Sequence, residues 1–517
     1  MTDNKLAILI EKYVDGMIEK KELAVAAYEY IKSSDGSEKD DEVEFGRLFR
    51  KYIEMESRHE DIFLLSLFAN IFINERVFEH AYKTIIELSS LSKENKYFAL
   101  WQLDKIVFLN VALQTEKLRQ LRDDLYEDIY RKYLAKFDEE LSFINKNERN
   151  ENLVFVLVTQ LINSNHGPSK MLFDRCYTIQ KHLGKRVFII NTAELLTASG
   201  KIQDWFSPAH ANYIGEYSQM DTIQIKDEKF ALFQCPDIMP DDEVIGMLLS
   251  VIREKKPWCV VTVGGMSIVS DLCSGLVPVF TLPTVYSGIA CTRSQFQMKT
   301  GILNPEEKRW MKKHNYTEDH FVNEIFTFTF KEQTHHYSRQ ELSLPDRGKI
   351  AIVCSGRLND EVDDRFMKVV KDLAENGIYT AFAGGFDKLK NYTDQDELLE
   401  RYTINLGYQT DMLAVYECCD FYLNPYRQGG GCSAAEALFK GLPAFSINYG
   451  DVGISVGEDF HVHDYDQMVG SVVEAAADQE RYDELSCKAR ERGLLLIDSV
   501  RPFVHALKTI ESRRDFV

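Results

Sequence analysis

The chain has 517 residues, too many for one ordinary hydrophobic core, so two or three domains are expected. An apolar content of 45% with 27% charged residues excludes a disordered chain, and no apolar run approaches the about 20 residues that span a bilayer. A net charge of −20 argues against nonspecific binding to nucleic acid or anionic lipid, while leaving room for a local basic groove.

Residues 1 to about 148 read as all helix. Leu6, Leu9, Ile10, Tyr13, Val14 and Met17 recur at helical spacing, as do Ile62, Leu65, Phe68, Ala69 and Phe72. No proline precedes Pro168, and a bundle or short solenoid of helices fits best. Along Leu118–Phe137 acidic and basic residues interleave, which predicts a solvated charged face.

The pattern changes near Asn147–Asn152. Leu153–Val158 predicts a strand, and the polar loop Asn163-Ser164-Asn165-His166-Gly167-Pro168 follows it. A helix is expected over Ser169–Leu183, ended by Gly184, and a second strand over Arg186–Asn191. This strand–helix–strand order implies a parallel sheet. Further strands are expected at Phe230–Phe233, Trp258–Val263 and Val277–Leu282, with the turn Gly264-Gly265-Met266-Ser267 after the second of these. Ile325–Phe330 also reads as a strand, and a linker is expected near Arg339–Gly348.

A second α/β region follows. Strand Ile350–Val353 leads into Ser355-Gly356-Arg357-Leu358, and strand Tyr379–Phe382 ends in Ala383-Gly384-Gly385. Then come Leu406-Gly407-Tyr408-Gln409, a helix over Asp411–Cys418 and a short strand from Phe421. The next stretch runs Asn424-Pro425-Tyr426-Arg427-Gln428-Gly429-Gly430-Gly431-Cys432-Ser433-Ala434-Ala435-Glu436. Three glycines let the backbone approach a ligand closely, and the helix expected to start near Ser433 offers free N–H groups to a phosphate. Glu436, about one turn in, can accept hydrogen bonds from sugar or ribose hydroxyls. The plainer alternative is a glycine-rich strand-to-helix turn.

From Lys349 to about Asp478 the order of these turns resembles the donor-binding half of a GT-B glycosyltransferase. The resemblance implies an α/β fold of two Rossmann-like domains facing a cleft, here preceded by an all-α helical domain. It divides the chain into a helical acceptor- or partner-binding region at 1–148, an acceptor-side domain at 149–340 and a donor-binding domain at 341–517. Helices at Glu480–Gly493 and from about Pro502 are expected to pack back across to the first half.

The implied activity is sugar transfer from a nucleotide-diphosphate donor, UDP-linked, to a protein or glycan acceptor, with no bound metal needed. Gly356, Arg357, Gly407, Tyr408, Arg427, Gly430, Gly431, Cys432, Ser433 and Glu436 are the candidate donor-binding residues. Arg357 is the candidate cation for the leaving diphosphate, since a guanidinium binds two phosphate oxygens at once. His166 is the candidate base, in a loop at the carboxyl end of a strand. Gly167, Gly264, Gly265 and Ser267 are candidate acceptor-side residues. Each has a bland alternative as a loop or cap residue.

Two departures stand out. Many retaining members carry paired glutamates around this loop; Glu436 matches the second, but Gln428 stands at the first. The lysine that often follows the "GRL" arginine is also absent. A catalytically silent binding subunit of the same fold, or a nucleotide-sugar epimerase, are the competing readings.

The pairs His335-His336 and His461-Val462-His463 raise a metal site. Adjacent residues on a strand point to opposite faces, and the second pair aligns with a final strand before a helix cap, so no metal is expected. The ten cysteines show no CxxC pair, so reduced thiols are expected. No signal-peptide pattern follows Met1-Thr2-Asp3, and a cytoplasmic location is expected.

Overall fold

The computed structural model describes residues 5–33, 39–58, 60–163, 166–195, 202–513 and 516. Ser164 and Asn165 of the loop before His166 lie outside the described residues.

Among the described residues seven α-helices come first, from Lys5–Val14 to Glu116–Phe137. An eight-stranded sheet follows: β1 (Asn150–Val158), β2 (Arg186–Asn191), β3 (Thr222–Ile225), β4 (Glu228–Gln234), β5 (Pro257–Val263), β6 (Val279–Leu282), β7 (Phe296–Lys299) and β8 (Phe321–Asn323). Its order is β3-β4-β2-β1-β5-β6-β7-β8, parallel throughout except for the β3–β4 pair. The central strands carry continuous apolar runs, such as Val154–Val158 and Trp258–Val261, because both faces are covered.

One face packs on the amino-terminal helices. Phe155, Leu157 and Val260 share a single core with Phe68, Leu100 and Tyr126. The other face buries Val154, Val156 and Val261 with Leu172 of the helix Gly167–Leu183 and with Phe503, Leu507 and Ile510 of the last helix, Arg501–Glu511. The chain end therefore crosses back to the first sheet. Arg175, fully buried, ties the crossing by donating to the Ser499 carbonyl (2.8 Å) and the Thr327 carbonyl (3.0 Å).

The second sheet comprises β9 (Ile350–Cys354), β10 (Tyr379–Ala383), β11 (Thr403–Gly407), β12 (Phe421–Leu423), β13 (Ala444–Ile447) and β14 (His461–Val462). It is wholly parallel, in the order β11-β10-β9-β12-β13-β14.

Two expectations change. Ile325–Phe330 forms no strand but an extended strap between the halves. Its alternate aromatics are bound in different places: Phe326 stacks on Tyr286 at 4.1 Å, the Phe328 amide donates to the Leu496 carbonyl (2.8 Å), and Phe330 meets Phe439 at 5.5 Å. The apolar alternation thus reflects packing against two bodies rather than sheet pairing.

The helix Glu116–Phe137 is also no purely solvated charged face. Its Asp123 is buried and accepts from His314 Nε2 (2.6 Å), Arg293 Nη2 (3.0 Å), Trp310 Nε1 (3.0 Å) and Lys313 Nζ (3.1 Å). Burial alone would raise this carboxyl, but His314 and Arg293 hold it well below the usual carboxylate range. The interleaved charges pin the helix onto the first sheet's edge.

Candidate functional site

In open parallel sheets ligands bind outside the carboxyl ends of the strands, where strand order reverses direction. In the second sheet that point lies between β9 and β12. A cleft opens there, lined by Cys354, Ser355 and Gly356 at the end of β9, Ala383 and Gly384 at the end of β10, Tyr408–Leu413 after β11, and Glu436 after β12. Lys170 and Lys331 complete it from outside the second sheet. Of the candidate donor residues, Gly356, Tyr408 and Glu436 line this cleft. Gly407 takes a left-handed φ of +63°, and Tyr408 after it stands 71% exposed.

The glycine loop leads into a helix at Gly431–Phe439, two residues earlier than expected from Ser433. Gly430 is the helix cap at φ +101°, a conformation that favours glycine, and no side chain caps this helix end. Gly431 is required by a close approach, since a Cβ there would lie 1.7 Å from the Tyr286 hydroxyl. The Ser433 hydroxyl is already engaged, donating to the Gly430 carbonyl (2.8 Å) and meeting the Tyr422 hydroxyl (2.9 Å). The Ser433 side chain is thus taken up by contacts within the loop itself.

Arg427 departs from the expected donor contact. It is buried, and Nε donates to Asn424 (2.7 Å), Nη1 to Glu361 (2.6 Å), and Nη2 to the Cys354 carbonyl and Tyr422 hydroxyl (both 3.0 Å). With these donors occupied it braces the loop from beneath. Glu361 sits between Arg427 and Arg357, whose Nε lies 2.9 Å away. Burial would raise the Glu361 carboxyl; Arg427 and Arg357 outweigh it and hold the group below its ordinary value. Arg357 stays partly exposed beside Gly429, with Phe108 of the helical region 5.2 Å from its guanidinium. Thus the amino-terminal helices reach the second half at this arginine.

The first half faces the cleft through the start of the helix Gly167–Leu183. His166 is its half-buried cap residue, with Nδ1 3.1 Å from Ser169 Oγ. Burial lowers its pKa and favours the neutral imidazole that a base requires. Gly167 is the exposed first residue of the helix. One turn after His166, Lys170 Nζ lies 3.9 Å from Glu436 Oε1 and 3.9 Å from Cys432 Sγ. Burial raises the Glu436 carboxyl, and the Lys170 charge partly counters this. Burial also pushes the Cys432 thiol up to about 12, so it is a neutral lining group. Sequence reasoning missed Lys170; only its place one helical turn after the candidate His166 could have singled it out.

The turn after β5 is placed differently from expectation. Gly264 and Ser267 are buried, and a Cβ on Gly265 would lie 2.8 Å from the Cys291 carbonyl. Ser267 caps the short helix Ile268–Cys273 and donates to buried Glu194 (2.6 Å), while Tyr97 of the helical region donates to the Met266 carbonyl (2.6 Å). This turn holds the helices onto the sheet and does not present these residues to an acceptor. Burial raises Glu194 to about 7.

Gln428 likewise serves the interface between halves. Its Nε2 donates to Ser287 Oγ (2.9 Å) and its Oε1 accepts from the Tyr449 hydroxyl (2.7 Å). Beside it the Ser287 amide donates to Asp451 Oδ1 (3.0 Å), and the Tyr286 hydroxyl donates to the Asp451 carbonyl (2.9 Å). Burial pushes Asp451 up to about 7. Because the folded protein holds this proton where the unfolded chain has lost it, the stabilising contribution is full below about pH 4 and is lost as pH rises to about 7. Asp451→Asn is expected to gain stability over wild type across that window, by at most about 1.4 kcal/mol per pH unit. Denaturant midpoints at pH 5 and pH 8 check this; an unchanged difference between the two proteins would refute it. Glu194 leaves a residual slope of the same sign in both.

The histidine pairs have other partners. His335 stacks on Tyr337 at 5.5 Å, His336 Nδ1 lies 2.8 Å from Glu417, and His461 Nε2 lies 2.8 Å from the Gly453 carbonyl. Among the described residues no group of three His, Cys, Asp or Glu side chains has the geometry of a metal site. Among them, too, no helix is long and apolar enough to cross a membrane.

No family model matches the chain, and no curated protein matches it in sequence. Solved structures do match in fold. An O-GlcNAc transferase variant from Thermobaculum terrenum superposes with a TM-score of 0.56 at 12% identity, over 98% of this chain and 97% of its own. A glycosyltransferase from Rickettsia africae (TM-score 0.48, 12% identity) covers 70% of this chain and 98% of its own. The Anabaena protein HepE, solved with UDP, gives 0.46 at 10% identity over 70% and 100%. At such identities the likeness is one of fold. The chain has the GT-B architecture, an α/β molecule of two parallel-sheet halves with a helical region in front.

Proposed function

We propose that this GT-B chain is a glycosyltransferase that moves a sugar from a nucleoside-diphosphate donor, UDP-linked, to a protein or glycan acceptor. The observation that carries the reading is the cleft at the reversal point of the second sheet, where Tyr408, Gly356, Glu436 and Lys170 converge. The fold shared with an O-GlcNAc transferase along nearly the whole chain, helices included, supports it and makes N-acetylglucosamine the first sugar to test.

Each part has a physical role. The exposed Tyr408 ring offers a stacking surface to the base. Glu436 accepts hydrogen bonds from ribose hydroxyls. Backbone N–H groups at Gly356 and at the start of the helix Gly431–Phe439 face developing negative charge on the diphosphate, with Arg357 beside them. His166, neutral at pH 7, accepts the proton of the acceptor hydroxyl. Phe108 places the helical region next to the donor arginine, which suits a region that presents the acceptor or a partner subunit. The ten cysteines are all free thiols, which supports work in the reducing cytoplasm.

Glu436→Gln is expected to weaken donor binding about tenfold, the worth of one charge-assisted hydrogen bond. Calorimetry on folded protein, paired with release of UDP from UDP-N-acetylglucosamine, tests the reading. Binding with no turnover on any acceptor would make this a silent binding protein, and unchanged binding in the variant would remove Glu436 from the site.

A further inference from the structure

Resting on that reading, the cleft raises a question of charge. A donor diphosphate carries negative charge that burial makes costly unless cations meet it. Yet Arg427 is engaged beneath the loop, Arg357 is held by Glu361, and Leu358-Asn359-Asp360-Glu361, directly after Arg357, contains no lysine.

Lys170 meets the need from the opposite half. It is anchored on the helix Gly167–Leu183, itself fixed by the buried Arg175. Its side chain is three-quarters buried, at 26% exposure, in the same cleft as Ser355, Gly356 and Tyr408. The nearest carboxylate oxygen, on Glu436, is 3.9 Å away, and no oxygen of the described residues lies within hydrogen-bonding distance of Nζ. A desolvated ammonium with three donors, whose partners are Glu436 Oε1 and Cys432 Sγ at 3.9 Å each, is matched by an incoming anion. Its reach also spans the halves, since the helix belongs to the first sheet and Glu436 to the second.

We propose that Lys170 is a donor-binding residue that contacts the diphosphate from the first half, supplying across the cleft the cation absent directly after Arg357. The anion then bridges the two halves, drawing Lys170 from Glu436 and leaving that carboxylate for the ribose.

The test compares wild type, Lys170→Met and Lys170→Arg by calorimetry against UDP, GDP and ADP, each beside its own nucleoside, in low-salt, metal-free buffer. Wild type is expected to prefer the diphosphate to the nucleoside. Lys170→Met is expected to lose about 10- to 100-fold in diphosphate affinity and nothing in nucleoside affinity, with arginine restoring most of the loss. Lys170→Gln serves if the methionine variant does not fold. Equal losses for diphosphate and nucleoside would show a packing role and overturn the proposal, as would unchanged diphosphate affinity. Wild type that binds no nucleoside diphosphate would remove the donor site, and this role with it.

Discussion

Glu361→Ala is expected to destabilise the protein by about 3–5 kcal/mol, the range for removing one partner of a buried ion pair. Arg427 is buried and gives one of its N–H groups to this carboxylate at 2.6 Å. Without it a guanidinium remains inside the second half with no counter-charge, directly under the glycine loop. The Ser355 hydroxyl and Arg357 lose the same acceptor, so the turn after β9 loosens with the loop. Glu361→Gln keeps one acceptor oxygen and is expected to cost less. Denaturant unfolding monitored by tryptophan fluorescence and by circular dichroism gives the comparison. An alanine variant as stable as wild type would show that the two arginines do not depend on this carboxylate.

Gly431→Ala is expected to spring the junction between the halves. The added Cβ would lie 1.7 Å from the Tyr286 hydroxyl and 3.0 Å from Ser455 Oγ, and neither group is free to move. Tyr286 is stacked on Phe326 at 4.1 Å and hydrogen-bonded to the Asp451 carbonyl at 2.9 Å. Overpacking of this kind costs about 1–3 kcal/mol. Here it falls where the first half seats on the cradle, so nucleoside-diphosphate affinity should drop with stability. Tyr286→Leu removes the obstructing atoms. In that background the alanine should cost markedly less, and the coupling in a double-mutant cycle reports the contact. Strict additivity would mean that the loop and Tyr286 are not in contact in solution.

Both effects turn on residues whose meaning lies outside their local sequence. The architecture was legible because it depends on local signals. Apolar runs such as Leu153–Val158 and Ile350–Val353, each followed by a breaker and a helix, mark parallel strands wherever they occur. The glycine triplet and the Gly407-Tyr408 turn were legible for the same reason, because left-handed backbone at Gly407 and Gly430 needs glycine.

Arg427 was not legible as a brace, since a loop arginine next to glycines has the same sequence appearance whether it points to solvent or to Glu361. Ser267 was misplaced because a helix cap and a ligand-binding serine share one pattern; its partner Glu194 is 73 residues away in the chain. The charged stripe on Glu116–Phe137 hid Asp123, whose partners arrive from positions 293 to 314. Ile325–Phe330 has strand periodicity because it is packed on alternate sides, and periodicity alone does not distinguish a sheet from two flanking bodies. Lys170 acquires its role only when one half is set against the other.

The most direct test of the account is calorimetric titration of the wild-type protein with UDP, GDP, ADP and UDP-N-acetylglucosamine in metal-free buffer. The account predicts one-site binding of a nucleoside diphosphate or its sugar, tighter than the matching nucleoside. A folded protein that binds none of them would contradict the donor site and leave the GT-B frame without a nucleotide-sugar role.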